Sequence, residues 1–116
     1  MGYVGDYVYE WKHIASGTDT VTKVTSPVGK DKTVRVISAY VTNYTTANKA
    51  LIIGKRDTGG NDIYLKQVNA ANTYSIALDQ PVILREGESM IGIVESPTGN
   101  DVLYFSFYGE QYKRVQ

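Results

Sequence analysis

The sequence contains no cysteine and a single histidine, His13, among its 116 residues. Without Cys there is no disulfide scaffold, no thiol nucleophile and no thiolate metal site. One imidazole supplies neither a two-histidine metal site nor a paired acid and base within one chain. Neither sign of charge prevails: 12 Lys plus Arg balance 12 Asp plus Glu, and the two are interspersed. Nucleic-acid binding driven by phosphate neutralisation is therefore not expected. Long apolar runs are missing as well. The longest, Ala50 to Gly54 and Met90 to Val94, fall far short of the roughly 20 residues of a spanning helix, so no membrane partner is expected. Met1 to Ser16 mix Asp6, Glu10, Lys12 and His13 with aromatics, unlike the basic start and apolar core of a secretion signal, and imply synthesis in the cytosol. No glycine-rich stretch opens a helix, which excludes a phosphate loop.

What is abundant is side chains that fit a pleated surface. Val, Ile, Thr and the aromatics make up 46 of the 116 residues, whereas helix formers are sparse. Eleven Gly and three Pro punctuate short apolar stretches, the spacing of many strands joined by turns. The length suits one domain. With no helical stripe to cover a sheet, the layers are sheet on sheet: an all-β, single-domain β-sandwich of jelly-roll or other Greek-key topology, with about eight strands.

The expected organisation is an extended N-terminal aromatic arm over 1–16, a sandwich over 17–110 and a polar C-terminal tail over 111–116. In the arm, Tyr7, Tyr9, Trp11 and His13 alternate with Val8, Glu10, Lys12 and Ile14, which places four rings on one face of an extended segment. Thr33 to Tyr44 is the longest strand candidate. Strict alternation puts Val34, Val36, Ser38 and Tyr40 on one face and Arg35, Ile37, Ala39 and Val41 on the other, the pattern of a central strand. Ala50 to Arg56 and Ile63 to Val68 flank Asp57-Thr58-Gly59-Gly60-Asn61-Asp62, turn formers that predict a hairpin. Thr73 to Leu78, Val82 to Leu84, Met90 to Glu95 and Val102 to Tyr108 complete the set. In the last, Val102, Tyr104, Ser106 and Tyr108 face opposite Leu103, Phe105 and Phe107.

Catalytic chemistry is hard to find. Asp57-Thr58-Gly59 echoes the motif of dimeric aspartic proteases, where apolar residues precede the Asp and bury it at a dimer seam. Here Lys55 and Arg56 precede it, and an exposed turn is expected. Asp79, Glu86 and Glu88 lie close in sequence, but a glycosidase needs two carboxylates across a cleft, and these read as solvated turn charges. The Asp and Asn of 57–62 and 100–101 lack the spacing of a calcium loop. No catalytic, cofactor-binding or metal-ligating residue is assigned, and no cofactor is expected.

The remaining chemistry is aromatic, with ten Tyr and one Trp. Rings near the chain ends have few intrachain neighbours, and Tyr and Trp are enriched at protein contacts. Tyr3, Tyr7, Tyr9, Trp11 and Tyr112 are accordingly the expected protein-interface residues.

Two stretches, Val34-Arg35-Val36-Ile37-Ser38-Ala39-Tyr40-Val41-Thr42-Asn43 and Pro81-Val82-Ile83-Leu84-Arg85-Glu86-Gly87-Glu88-Ser89, resemble small tailed-bacteriophage virion proteins of the capsid decoration or cement type. In those chains a strand ending in Tyr-Val-Thr-Asn precedes a hairpin, a Pro-apolar-apolar-Leu-x-x-Gly-Asp-Ser turn and a final aromatic strand. Glu88 stands here where Asp is commoner. The similarity runs from Thr33 to Tyr108. It implies a non-enzymatic protein on the virion capsid surface, made in the host bacterial cytoplasm, that clamps the major capsid protein and neighbouring copies of itself as a homotrimer, with Met1 to Ile14 as the docking arm. The alternatives are a carbohydrate- or receptor-binding module of a phage tail, and a neck or tail component.

Overall fold

The computed structural model describes residues 2–47, 49–69 and 74–114. These form strands β1 (Gly2–Ile14), β2 (Val21–Val24), β3 (Lys32–Asn43), β4 (Leu51–Arg56), β5 (Asp62–Val68), β6 (Ser75–Ala77), β7 (Val82–Leu84), β8 (Ser89–Val94) and β9 (Val102–Lys113), with no helix among them. Sheet A runs β1-β9-β3-β6 with β7 also on β3, and sheet B runs β2-β8-β4-β5. All pairings are antiparallel. The short β6 and β7 lie end to end along β3, pairing with Tyr40–Thr42 and Val34–Val36. Counted as one interrupted edge strand, they complete an eight-stranded jelly roll, one of the Greek-key topologies the sequence left open.

The core lies between the sheets. Val34, Val36, Ala39 and Val41 of β3 and Leu103, Phe105 and Phe107 of β9 meet Leu51 and Ile53 of β4 and Met90 and Val94 of β8. Gly92 of β8 marks a close approach: a Cβ there would stand 2.8 Å from the Phe105 ring and 3.0 Å from a Val41 methyl. On the other face of sheet B, Ile52, Ile91 and Ile93 form a second buried cluster with Val24. Strand β8 is thus buried on both faces, which is why its sequence is continuously apolar. The Asp57–Asp62 segment is the β4–β5 turn, where the Asp57 carboxylate accepts from the main-chain N–H groups of Gly59 and Asn61, both at 2.9 Å.

Two sequence expectations need correction. The first concerns β3. Its register with β9 shifts between Val36, opposite Gly109, and Ser38, opposite Tyr108, leaving Ile37 as the extra residue of a β-bulge. Beyond the bulge the alternation resets. Ala39 and Val41 therefore join Val34 and Val36 in the core, while Ser38 and Tyr40 face outward with Arg35. Gly109 permits this close approach, since a Cβ there would lie 2.7 Å from the Arg35 carbonyl oxygen and 3.0 Å from the Val36 Cα.

The second concerns the chain ends. Gly2–Ile14, expected as an extended arm, pairs along its length with β9, from Gly2 opposite Lys113 to Ile14 opposite Val102, with one register shift between Tyr3 and Gly5. The alternating rings that marked it as unusual are the inward face of an edge strand. Strand β9 runs on to Lys113, so Gln111 to Lys113, expected in the tail, belong to the sheet. Val115, Gln116 and Thr73 lie outside the described residues.

Candidate functional site

The five rings expected at an interface divide between the two faces of sheet A. Tyr7 is 4% exposed and belongs to the core. Its hydroxyl donates to the Ser26 carbonyl oxygen at 2.8 Å and meets the Thr25 hydroxyl, which in turn accepts from the Met90 N–H at 2.9 Å. Because a carbonyl cannot donate, the single phenol proton is committed to Ser26 and Thr25 donates to Tyr7. Burial pushes the Tyr7 phenol up to about 12. A ring held this way is not available to a partner, so its expected interface role is withdrawn. Tyr9 and Trp11 point the same way but are only half-buried, at the open margin of the sandwich. Their rings stack at 5.8 Å, and Trp11 meets Phe107 edge-on at 6.2 Å.

Tyr3 and Tyr112 pair across β1 and β9, rings edge to face at 6.0 Å. Each donates to a carboxylate on its own strand, Tyr3 to Asp6 and Tyr112 to Glu110 at 3.0 Å. Those hydrogen bonds raise both phenols, Tyr3 to about 12. Both rings therefore remain neutral donors well into the alkaline range.

The larger aromatic surface lies on the outer face of sheet A. The register sets Tyr104, Ser106 and Tyr108 of β9 between Lys12, Glu10 and Val8 of β1 and Thr42, Tyr40 and Ser38 of β3. Tyr44 meets the Tyr104 ring edge-on at 5.1 Å, and the Lys12 ammonium stands 6.0 Å from that ring's centre. Tyr44 is 67% exposed and Tyr40 45%, and exposed Val8, Ile14, Ile37, Ile83 and Tyr108 extend the apolar surface. Since Ser106 is small, the sheet dips at its centre into a groove of about 440 Å³ lined by Glu10, Trp11, Lys12, Tyr40, Tyr104, Phe105 and Ser106. The rings of Trp11 and Phe105 lie on the opposite face, so these two contribute main chain to its floor. The face offers flat rings, phenol hydroxyls and charges of both signs, with no nucleophile held against a base.

The carboxylates weighed as catalytic pairs are tied to separate structural tasks. Asp79 pairs with Lys66 at 2.8 Å, Glu88 with Lys55 at 3.5 Å, and Glu86 accepts from the Asp31 N–H at 2.7 Å. Among the described residues no group of three His, Asp or Glu could hold a metal ion. Asp101, 1% exposed, joins two loops. It accepts from Asn43 Nδ2 at 2.9 Å, the Thr98 N–H at 2.8 Å and Thr46 Oγ1 at 2.6 Å. Burial alone would raise this carboxyl, but the donors from Thr46, Asn43 and Thr98 outweigh it and hold Asp101 below the ordinary carboxylate value.

The sequence reading missed Tyr40, Tyr44, Tyr104 and Tyr108 as one surface. The alternation of Tyr104, Ser106 and Tyr108 against Leu103, Phe105 and Phe107 was visible. Both faces are aromatic, however, so nothing local says which meets water. Alternation alone groups Tyr40 with Val34 and Val36, because the bulge carries no compositional mark.

No family model matches the chain, and no curated protein matches it. Among solved structures it is similar to the Drosophila NLP core, a structure that concerns pentamer formation and histone binding. The identity is 15% over 91% of this chain and 98% of that one, with a TM-score of 0.47. The virion reading is withdrawn: no family model or curated protein supports the phage-protein resemblance, and the structural neighbour reported concerns pentamer formation and histone binding. The major capsid protein as partner, the homotrimer, the virion location and the tail and neck alternatives are withdrawn with it. A likeness this weak carries neither the pentamer nor histone binding across to this chain. The fold it accompanies is a single-domain β-sandwich.

Proposed function

We propose that the chain is a non-enzymatic protein-binding module whose working surface is the outer face of sheet A. The observation that carries this reading is the length and chemistry of the exposed strip. From Val102 to Tyr112 the outward residues of β9 extend roughly 33 Å, with rings and aliphatics beside them on β1 and β3. That is longer than a small ligand and comparable to one side of a protein–protein contact. Tyr presents a broad ring at low entropic cost together with a hydroxyl that stays hydrogen-bonded when covered, which suits such contacts. The interspersed Glu10, Lys12, Arg35 and Glu110 give the strip both signs of charge and favour a mixed-charge protein surface over a polyanion.

Hydroxyl-radical footprinting tests the reading, comparing the purified chain with the chain in extracts of the cells that make it. Tyr40, Tyr104 and Tyr108 should be oxidised in the free protein and protected in the assembly, while Tyr64 on β5 of the other sheet reacts equally in both. A Tyr40→Ser/Tyr104→Ser variant, folded by circular dichroism, should lose the protection remaining at Tyr108. Equal oxidation of the outer-face tyrosines in both states would remove the proposal.

A further inference from the structure

Each sheet of an open sandwich ends in edge strands whose outward N–H and C=O groups have no partner, and proteins blunt such edges by shortening, bulging or charging them. Three edges of this fold are treated that way. Strand β2 has 4 residues and β6 and β7 have 3 each, with Pro81 just before β7. Strand β5 is bulged between the residues opposite Ile53 and Gly54, and its Lys66 is clamped across the sandwich to Asp79. Strand β1 is the least protected: its one bulge lies near its start, between Tyr3 and Gly5, and its charges Asp6, Glu10 and Lys12 are of both signs. It is 13 residues long without proline, and among the described residues it pairs only with β9. From Gly5 to Ile14 its register is uninterrupted.

We propose that this edge is a self-association site at which β1 of a second copy pairs antiparallel about a two-fold axis at Tyr9, joining two sheets A into one continuous sheet. The axis stands perpendicular to the sheet, so opposed residues share a face and pairing is restricted to like-facing positions. Charge selects among the registers. With the axis at Tyr9, the outward Asp6 faces Lys12 of the second copy, and by symmetry the pair occurs twice. An axis at Val8 would oppose Asp6 to Glu10, and one at Glu10 would oppose that carboxylate to itself. An axis at Trp11 avoids like charges but pairs only the residues from Val8 onward, whereas Tyr9 uses Gly5 to His13. On the inner face the chosen register brings the half-buried Tyr9 onto Tyr9 of the second copy, continuing the Tyr9–Trp11 stack at 5.8 Å, while the buried Tyr7 contributes only main chain to the pairing. The half-buried Tyr9 and Trp11 rings are thereby covered. Roughly one main-chain hydrogen bond per paired residue adds to this. The inference goes beyond the proposed binding function, since the edge pairs whether or not the outer face is occupied.

Sedimentation of the full chain across concentration, up to about 0.1 mM, provides the test. The wild type should dimerise. Lys12→Glu opposes like charges at two symmetric places and should weaken the dimer roughly tenfold or more. Asp6→Lys should do the same. The double variant Asp6→Lys/Lys12→Glu re-creates an opposite pair in the same register and should restore the wild-type constant. Because the chain lacks cysteine, Tyr9→Cys gives an independent reading: air oxidation should trap a disulfide-linked dimer, whereas Glu10→Cys should not. A monomer throughout the range, unchanged constants in the single variants, or no restoration in the double variant would overturn the proposal. So would loss of the dimer in the outer-face variant Tyr40→Ser/Tyr104→Ser, which would move self-association onto that face.

Discussion

Tyr7→Phe deletes one oxygen atom and breaks the middle of a relay that runs from the Met90 N–H through the Thr25 hydroxyl and the Tyr7 phenol to the Ser26 carbonyl. The ring still fills its place, so packing is unchanged and the cost is polar. Among the described residues no buried side-chain polar atom lacks a partner. The variant therefore creates an orphan, the Thr25 hydroxyl at 2% exposure, while water can reach the carbonyl of the exposed Ser26. One buried orphan costs about 1–3 kcal/mol and a rehydrated carbonyl well under that, giving about 2 kcal/mol overall. For a domain of this size that lowers Tm by roughly 8 °C. Thr25→Val costs a similar amount by stranding the Met90 N–H, but in the double variant there is no hydroxyl left to strand. The singles should then sum to more than the double by about 1 kcal/mol. Urea unfolding at constant m-value measures all three proteins. The phenol also leaves a signature in alkali. Its folded pKa, about 12, lies above the ordinary 10, so its contribution is whole below pH 10 and is lost as pH rises toward 12. Tyr7→Phe should lack that part of the slope. A loss under about 0.5 kcal/mol, or additive singles, would show that the relay does not hold β1 to the Thr25 loop.

Two further outcomes follow from other buried sites. Asp101 has a depressed folded pKa, so its stabilisation is present above the unfolded value of about 3.9 and disappears as pH falls through the folded one. Asp101→Asn should cost about 2 kcal/mol at neutral pH, because an amide NH₂ must then face donors, and should flatten the acid limb of a stability–pH curve measured by thermal melting. Gly92→Ala places a methyl 2.8 Å from Phe105 and 3.1 Å from Phe107. It should destabilise by about 1–3 kcal/mol in denaturant, with part of the loss recovered by adding Val41→Ala to make room.

The sheet class, the β4–β5 hairpin and the inward run Leu103, Phe105 and Phe107 were legible because each depends on local pattern: β-branched enrichment, a six-residue block of turn formers and strict alternation. What escaped depends on partners distant in sequence. The aromatic alternation of Tyr7, Tyr9 and Trp11 is visible in the chain, but β9, which makes it an edge strand, lies about a hundred residues away. The bulge at Ile37 is accommodated by Gly109 on the neighbouring strand, and no residue within Ile37-Ser38 announces it. Alternation alone therefore puts every β3 side chain after it on the wrong face, including Tyr40, the ring that links β3 to the tyrosine surface. The same limit applies to Tyr7, whose hydroxyl partners come from Thr25 and Ser26 on a separate loop.

Strand β3 holds one residue in reserve. Removing Ile37 would let Val36 and Ser38 become ordinary successive positions, and each remaining side chain would keep the side it occupies now. Loss of Ala39 can be absorbed in the same way, by straightening the kink, at the expense of turning Ser38 inward, and each step further downstream turns one more side chain over. Lengthening has no such outlet and would demand a second irregularity beside Phe105 and Phe107. Natural variants of this chain should therefore lose a residue between Val36 and Val41 more readily than gain one.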